Sequence, residues 1–173
     1  MPVPIRWSDI DGYGHVNNAA ILTLLEEARV ATFWDTGTGS GGAGTAAGTG
    51  GAAPSGAAGP EQSEGGVRKA AQVLAGGVHA DSHTLVARQE IEYLAPLTYS
   101  QEPVSVQLWI GRIGGASLEV CYEVYAPDGG LCARAASSMV MVEAATGRPR
   151  RLTEHERSAL QILVEEPLTF RRR

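Results

Sequence analysis

The sequence predicts an α+β fold: an antiparallel sheet of about five strands laid against one long helix, with a short helix near the C-terminus. Three observations predict it. A strand-like N-terminal stretch leads into a single run of helical periodicity over residues 18–35. Strand-like alternation then recurs in successive segments between residues 83 and 144. The sharpest turn signal among them, Pro127-Asp128-Gly129-Gly130, is of the kind that joins antiparallel neighbours. A lone amphipathic helix and a one-sided sheet each have an apolar face to bury, and each can cover the other.

Taken in order, residues 3–9 alternate, with Val3, Ile5 and Trp7 on one face and Pro4, Arg6 and Ser8 on the other, which is the period of a strand. Over 18–35, Ile21, Leu24, Leu25, Ala28 and Ala31 share one helical stripe, while Glu26, Glu27 and Arg29 mark part of another face. At about 1.5 Å per residue this helix is roughly 25 Å long. Residues 83–94 read as a strand ended by Ala95-Pro96. In 103–111, Val104, Val106, Leu108 and Ile110 fall on one side; in 116–126, Leu118, Val120, Tyr122 and Val124 do. The turn at 127–130 joins that strand to 131–144 as a hairpin. Thr153 and Glu156 form a T-x-x-E capping box, so a short helix is expected from there to about Val164.

One segment stands apart. From Thr36 to about Gly66 the chain is rich in Gly and Ala and has no bulky apolar residue. Such a stretch cannot bury enough surface to offset its ordering entropy, so it is expected to be a flexible insertion in a single domain that otherwise spans residues 1–173. Its glycines do not form a phosphate-binding G-x-x-x-x-G-K-[ST].

The 173 residues suit one domain, and a hydrophobic fraction of 43% is enough for a core. A net charge of −5 gives no basic field for nucleic acid. The apolar runs fall short of the roughly 20 residues that a membrane span needs, and the N-terminus lacks the apolar stretch of a secretion signal. A soluble cytoplasmic protein is expected, with no nucleic-acid or membrane partner. Cys121 and Cys132 match no metal or redox spacing and read as buried free thiols.

The densest chemistry lies in RWSDIDGYGHVNNAAILTLLEEAR, residues 6–29. A calcium loop fails: Asp9, Asp11 and Gly14 fit its first, third and sixth positions, but Tyr13 and Ala20 stand where ligands are needed. A structural reading has Asp and Asn capping the turn and the helix, with Gly12 and Gly14 supplying permissive backbone. A catalytic reading uses the same geometry. A strand-to-helix turn aims backbone N–H groups and the positive end of the helix dipole at one small volume, which suits an oxyanion, and a carboxylate on that turn can act as base or nucleophile. No G-x-S-x-G is present, which argues against an α/β-hydrolase.

This stretch resembles the N-terminal signature of the hotdog-fold acyl-CoA thioesterases, in the 4-hydroxybenzoyl-CoA thioesterase-like family. The shared features are a strand, a D-x-D turn, a Gly, a polar helix start and an acidic-Ala-Arg near the helix end. Residues 91–124 also resemble that family's central hairpin. The resemblance implies a hotdog fold and hydrolysis of an acyl-CoA to a carboxylate and free CoA. It further implies Asp11 as the catalytic carboxylate and Asn18, opening the helix, as the backbone donor to the thioester carbonyl. Gly14 would allow close backbone approach; His15 and Asn17 would shape the acyl pocket or cap the helix; Arg112 and Ser117 would lie near the coenzyme A. Relatives carry Tyr or His at the position of Asn18, so only the backbone role transfers. The family implies a homodimer or homotetramer with the site at the subunit interface, and neither metal nor organic cofactor. Phosphate-pairing cations are available in Arg112 and in Arg148, Arg150 and Arg151, the last three equally readable as a solvated surface run. Two rival readings remain on the same fold: a non-catalytic acyl-binding module, and an enoyl-CoA hydratase-like enzyme, whose Asp-to-His spacing this chain does not reproduce.

Overall fold

A computed structural model describes residues 1–33, 74 and 80–171; the expected insertion from Thr36 to about Gly66 lies outside the described residues. In chain order the elements are β1 (Pro2–Val3), α1 (Asn18–Phe33), β2 (Ser82–Tyr93), β3 (Val104–Ile113), β4 (Ser117–Tyr125), β5 (Leu131–Glu143) and α2 (Glu154–Leu160). The strands form one five-stranded sheet in the order β1-β3-β4-β5-β2, and every pairing is antiparallel. This is the hotdog fold. No helix among the described residues is long and apolar enough to cross a membrane.

The alternation along each strand produces the core directly. Val104, Val106 and Ile110 of β3, Leu118, Val120, Tyr122 and Val124 of β4, and Ala133, Ala135, Met139 and Met141 of β5 are all buried. Against them lie Ile21, Leu24, Leu25, Ala28 and Phe33 of α1, in one continuous cluster. Each large aliphatic side chain so buried contributes about 1.5–3 kcal/mol of transfer free energy. The β4–β5 hairpin closes where the turn residues require it, with Gly129 at φ 87 and the Gly130 amide donating to Asp128 Oδ1 at 2.9 Å. Both cysteines are free and buried, as expected.

Three expectations need correction. Residues 3–9 are not one strand: pairing with β3 stops at Val3, and Trp7–Asp9 forms a 3₁₀ turn. Pro4 has no amide for a ladder. The amides of Arg6 and Asp9 are used locally instead, the first donating to Asp9 Oδ2 at 2.8 Å and the second to the Arg6 carbonyl at 3.0 Å. Trp7 is thereby turned outward and is 75% exposed. Arg29, expected on a polar face, is buried at 5% exposure. Its Nη1 donates to the Tyr122 hydroxyl at 3.3 Å and its Nη2 lies 3.7 Å from Glu26. A guanidinium tolerates such a place only with partners. Burial pushes the Tyr122 phenol above its ordinary range, and the adjacent Arg29 charge opposes that shift. Ala31, expected in the apolar stripe, is only half-buried.

The capping box of α2 forms as read, with Thr153 and Glu156 bonding reciprocally. Glu156 also takes both ends of Arg150, at 2.7 and 3.0 Å, and Arg150 reaches Ser82 at 3.2 Å. Arg150 is thus a structural clamp and not a cation held ready for phosphate. The Arg150 pair and the Thr153 amide hold the Glu156 carboxyl below its ordinary range, although burial opposes this.

Beyond α2 the chain returns across the outer face of the sheet. The Glu165 amide donates to the Ile110 carbonyl at 3.0 Å, Trp109 Nε1 donates to the Glu166 carbonyl at 2.9 Å, and the Arg171 amide donates to Glu92 Oε1 at 2.7 Å. The Arg171 main chain is thereby fixed to β2. This strap passes closest at Gly111, where a Cβ would stand 2.9 Å from Cys121 Sγ and 3.0 Å from the Pro167 backbone. Gly111→Ala should therefore destabilise the protein by about 1–3 kcal/mol through overpacking. Differential scanning calorimetry reads this as a lowered Tm, and an unchanged Tm would show that the strap yields without cost.

Candidate active site

The turn between Ile10 and Val16 is built by one carboxylate. Asp11 Oδ1 accepts the amide of Tyr13 at 2.8 Å and the amide of His15 at 3.1 Å. The main chain closes the same loop, with the Asp11 amide donating to the His15 carbonyl at 2.8 Å and the Gly14 amide to the Asp11 carbonyl at 3.1 Å. Aspartate favours this geometry because its side chain imitates a backbone acceptor two residues on. Gly14 sits at φ 82, where a side chain would strain the backbone. Both side-chain bonds converge on Oδ1.

The turn delivers the chain to α1. The Asn17 amide donates to the Asp9 carbonyl at 2.7 Å, and Asn17 Oδ1 accepts the Ala19 amide at 2.8 Å, so Asn17 is the N-cap. Asn18 is the first helical residue. Its N–H has no acceptor among the described residues, as expected at a helix start. On the far side, the Val16 amide donates to the Leu97 carbonyl at 2.7 Å, and His15 bridges to Thr98. These contacts stitch the turn to the segment that follows β2.

Between them lies a cavity of about 280 Å³ lined by Asp11, His15, Asn18, Ile21, Tyr93 and Leu97 among others. It holds one carboxylate, one imidazole and the open end of a 16-residue helix against an apolar wall. The amides of His15 and then Tyr13 hold the Asp11 carboxyl below its ordinary range; partial desolvation opposes them without reversing the sign. Asp11 is thus ionised at neutral pH, in place to accept a proton or to attack an electrophile. Asp9 is committed elsewhere, to the Arg6 amide and side chain.

Of the residues singled out from sequence, Asp11, His15 and Asn18 meet in this cavity, Gly14 shapes the turn and Asn17 caps the helix. Arg112 and Ser117 do not join them within one chain. Arg112 lines a separate cavity of about 490 Å³ on the outer face, with Arg88, Glu119 and the strap residues Pro167 and Leu168. Ser117 opens β4 opposite Val140. The sequence alone does not mark Tyr93 as a wall of the site: its hydroxyl donates to the Asn18 carbonyl at 3.2 Å across 75 residues of chain, a contact that only the folded topology reveals. Trp7 packs edge-on against Tyr99 with ring centroids 5.4 Å apart, joining the segments on either side of the cavity. Among the described residues no cluster of His, Cys, Asp and Glu is placed to hold a metal ion.

A family model for the thioesterase-like superfamily matches residues 5–160. No curated protein matches the chain. Among solved structures, a thioesterase from Thermus thermophilus complexed with coenzyme A and Zn is 24% identical, with a TM-score of 0.60 over 96% of this chain and 95% of that one. A predicted thioesterase from Bacillus stearothermophilus is 22% identical, with a TM-score of 0.65 over 96% of each chain. The DHNA-CoA thioesterase from Staphylococcus aureus is 15% identical, with a TM-score of 0.62 over 94% of this chain and 90% of that one.

The depressed Asp11 value fixes a pH dependence. A carboxyl whose folded pKa lies below its unfolded value, about 3.9, stabilises the protein above that value, and the contribution is lost as the pH falls through the folded pKa. Asp11→Asn cannot titrate. Its Tm should lie below that of the wild type near neutral pH, and the gap should close as the pH drops below about 4. A gap of constant size over that window would show that the Asp11 charge does not hold the turn.

Proposed function

We propose, from the premise that the chain belongs to the thioesterase-like superfamily and is a thioester hydrolase, that its substrate is an acyl-CoA and that Asp11 performs the chemistry. The observation that carries this reading is the shared cavity: an ionised carboxylate and the Asn18 N–H, which has no acceptor among the described residues, line the same small volume. The thioester carbonyl oxygen takes the Asn18 N–H, where the helix dipole favours the negative charge that develops on it. Two routes then balance. In one, Asp11 takes a proton from water, the hydroxide adds to the carbonyl carbon, the C–S bond breaks and the proton passes to the thiolate. In the other, Asp11 Oδ2 adds to the carbon and expels the thiolate, and water then cleaves the mixed anhydride. Both begin with Asp11 ionised, as its amide donors keep it. The coenzyme A carried by the Thermus relative supports the substrate class.

Arg112 and Ser117 fit this scheme as contacts for coenzyme A supplied by a second copy of the chain. β2 lies at a sheet edge and presents Leu85 and Val86, 54% and 42% exposed. A 12-residue strand with an unpaired edge favours pairing. A homodimer joined there, alone or within a homotetramer, would bring the hairpin of one copy towards the Asp11 turn of the other.

Asp11→Asn should lower kcat by roughly two or more decades, since it removes base or nucleophile at nearly constant size, while Asp9→Asn costs far less. Thiol release from a short acyl-CoA measures both; near-normal turnover by the folded Asp11 variant would end this assignment. Arg112→Ala should raise KM for acyl-CoA more than for an acyl-pantetheine thioester that lacks the nucleotide phosphates. Equal effects on the two substrates would remove Arg112 from coenzyme A recognition.

A further inference from the structure

We propose that Tyr93 is a positioning residue for the oxyanion donor: by bonding the Asn18 carbonyl, its hydroxyl pins the first turn of α1 in register with the Asp11 turn. The inference rests on the thioesterase reading above and adds a residue to it. Tyr93 is the last residue of β2, and Asn18 is the first of α1. Their 3.2 Å contact ties the end of the edge strand to the start of the helix, across the mouth of the cavity that both residues line.

The opening turn needs such a tie. The Asn17 side chain secures only the Ala19 amide, and the first intrahelical bond runs from the Ile21 amide to the Asn17 carbonyl at 3.1 Å. Asn18, Ala19 and the cap residue Asn17 are all exposed, so packing does not hold this turn from outside. A helix end held by few contacts frays. Frayed, the Asn18 N–H would sample directions away from the developing oxyanion, and a misplacement of about 1 Å is enough to cost orders of magnitude in rate. On the other face of the cavity, Val16 is fixed to Leu97, four residues beyond Tyr93. The segment Tyr93–Thr98 thus grips both the carboxylate-bearing turn and the donor-bearing helix start and sets the distance between them. Burial pushes the Tyr93 phenol above its ordinary range, so the hydroxyl remains a donor through neutral and mildly alkaline pH.

Tyr93→Phe deletes this bond and keeps the ring that walls the cavity. The test is steady-state hydrolysis of a short acyl-CoA by the full chain, beside Asp11→Asn, with inhibition by two ligands: free CoA, and a trifluoromethyl ketone analogue of the acyl-CoA whose hydrate resembles the tetrahedral intermediate. For Tyr93→Phe, kcat should fall about tenfold with KM changed by less than about twofold, and binding of the analogue should weaken by the same factor as kcat, while free CoA binds as before. Circular dichroism and Tm separate this from unfolding, which would lower the active fraction without a selective loss for the analogue. Should Asp11→Asn abolish turnover while Tyr93→Phe matches the wild type, the positioning role is wrong and the thioesterase reading stands. Should Asp11→Asn remain active, the site itself has been misassigned. A Tyr93→Phe loss confined to KM would make Tyr93 a substrate contact and overturn the proposal.

Discussion

The site depends on a single oxygen accepting two amides. Asp11 Oδ1 folds the segment from Ile10 to Val16 back on itself, and that reversal delivers the chain to the start of α1 at Asn18. The same bonds hold the carboxyl below its ordinary range and so keep it ionised. On the proposed function, the bonds that make the turn are also those that ready the carboxylate.

Around this turn the fold distributes its polar groups in two ways. At the cavity the Asn18 N–H has no acceptor among the described residues, and on the proposed function an incoming oxyanion would supply one. In two clusters elsewhere, polar groups are closed on one another. Arg150, Glu156, Thr153 and Ser82 form one satisfied cluster that docks α2 at the start of β2. Arg29 and Tyr122 meet in the core between helix and sheet, where each offsets part of the other's desolvation cost. The strap over Gly111 packs against Cys121, which is fully buried on the outer side of the sheet.

Much of this was legible in the chain. The strands after residue 80, the helix from Asn18, the hairpin at 127–130 and the Thr153–Glu156 box follow from period, turn chemistry and capping, all of which act over a few residues. The Asp11 turn was legible for the same reason, since its bonds span at most four residues. What escaped depends on distant partners. Trp7 sits on the alternating face with Val3 and Ile5, yet Asp9 captures the backbone first. Arg29 reads as a surface residue because its partner, Tyr122, lies 93 residues away. Arg150 reads as a free cation until Glu156 and Ser82 are placed beside it. Tyr93 reads as an ordinary strand residue. Arg112 and Ser117, placed near coenzyme A by resemblance, lie on a different part of the chain from Asp11, and a second copy is what the reading needs to unite them.

The most direct test of the central claim is release of free thiol from a panel of acyl-CoAs, short and long, aliphatic and aromatic, with the carboxylate product quantified in parallel. The account predicts that at least one class is turned over repeatedly, with thiol and carboxylate formed in equal amounts. Binding of acyl-CoAs without release of thiol from any of them would contradict it and leave an acyl-binding module in place of an enzyme.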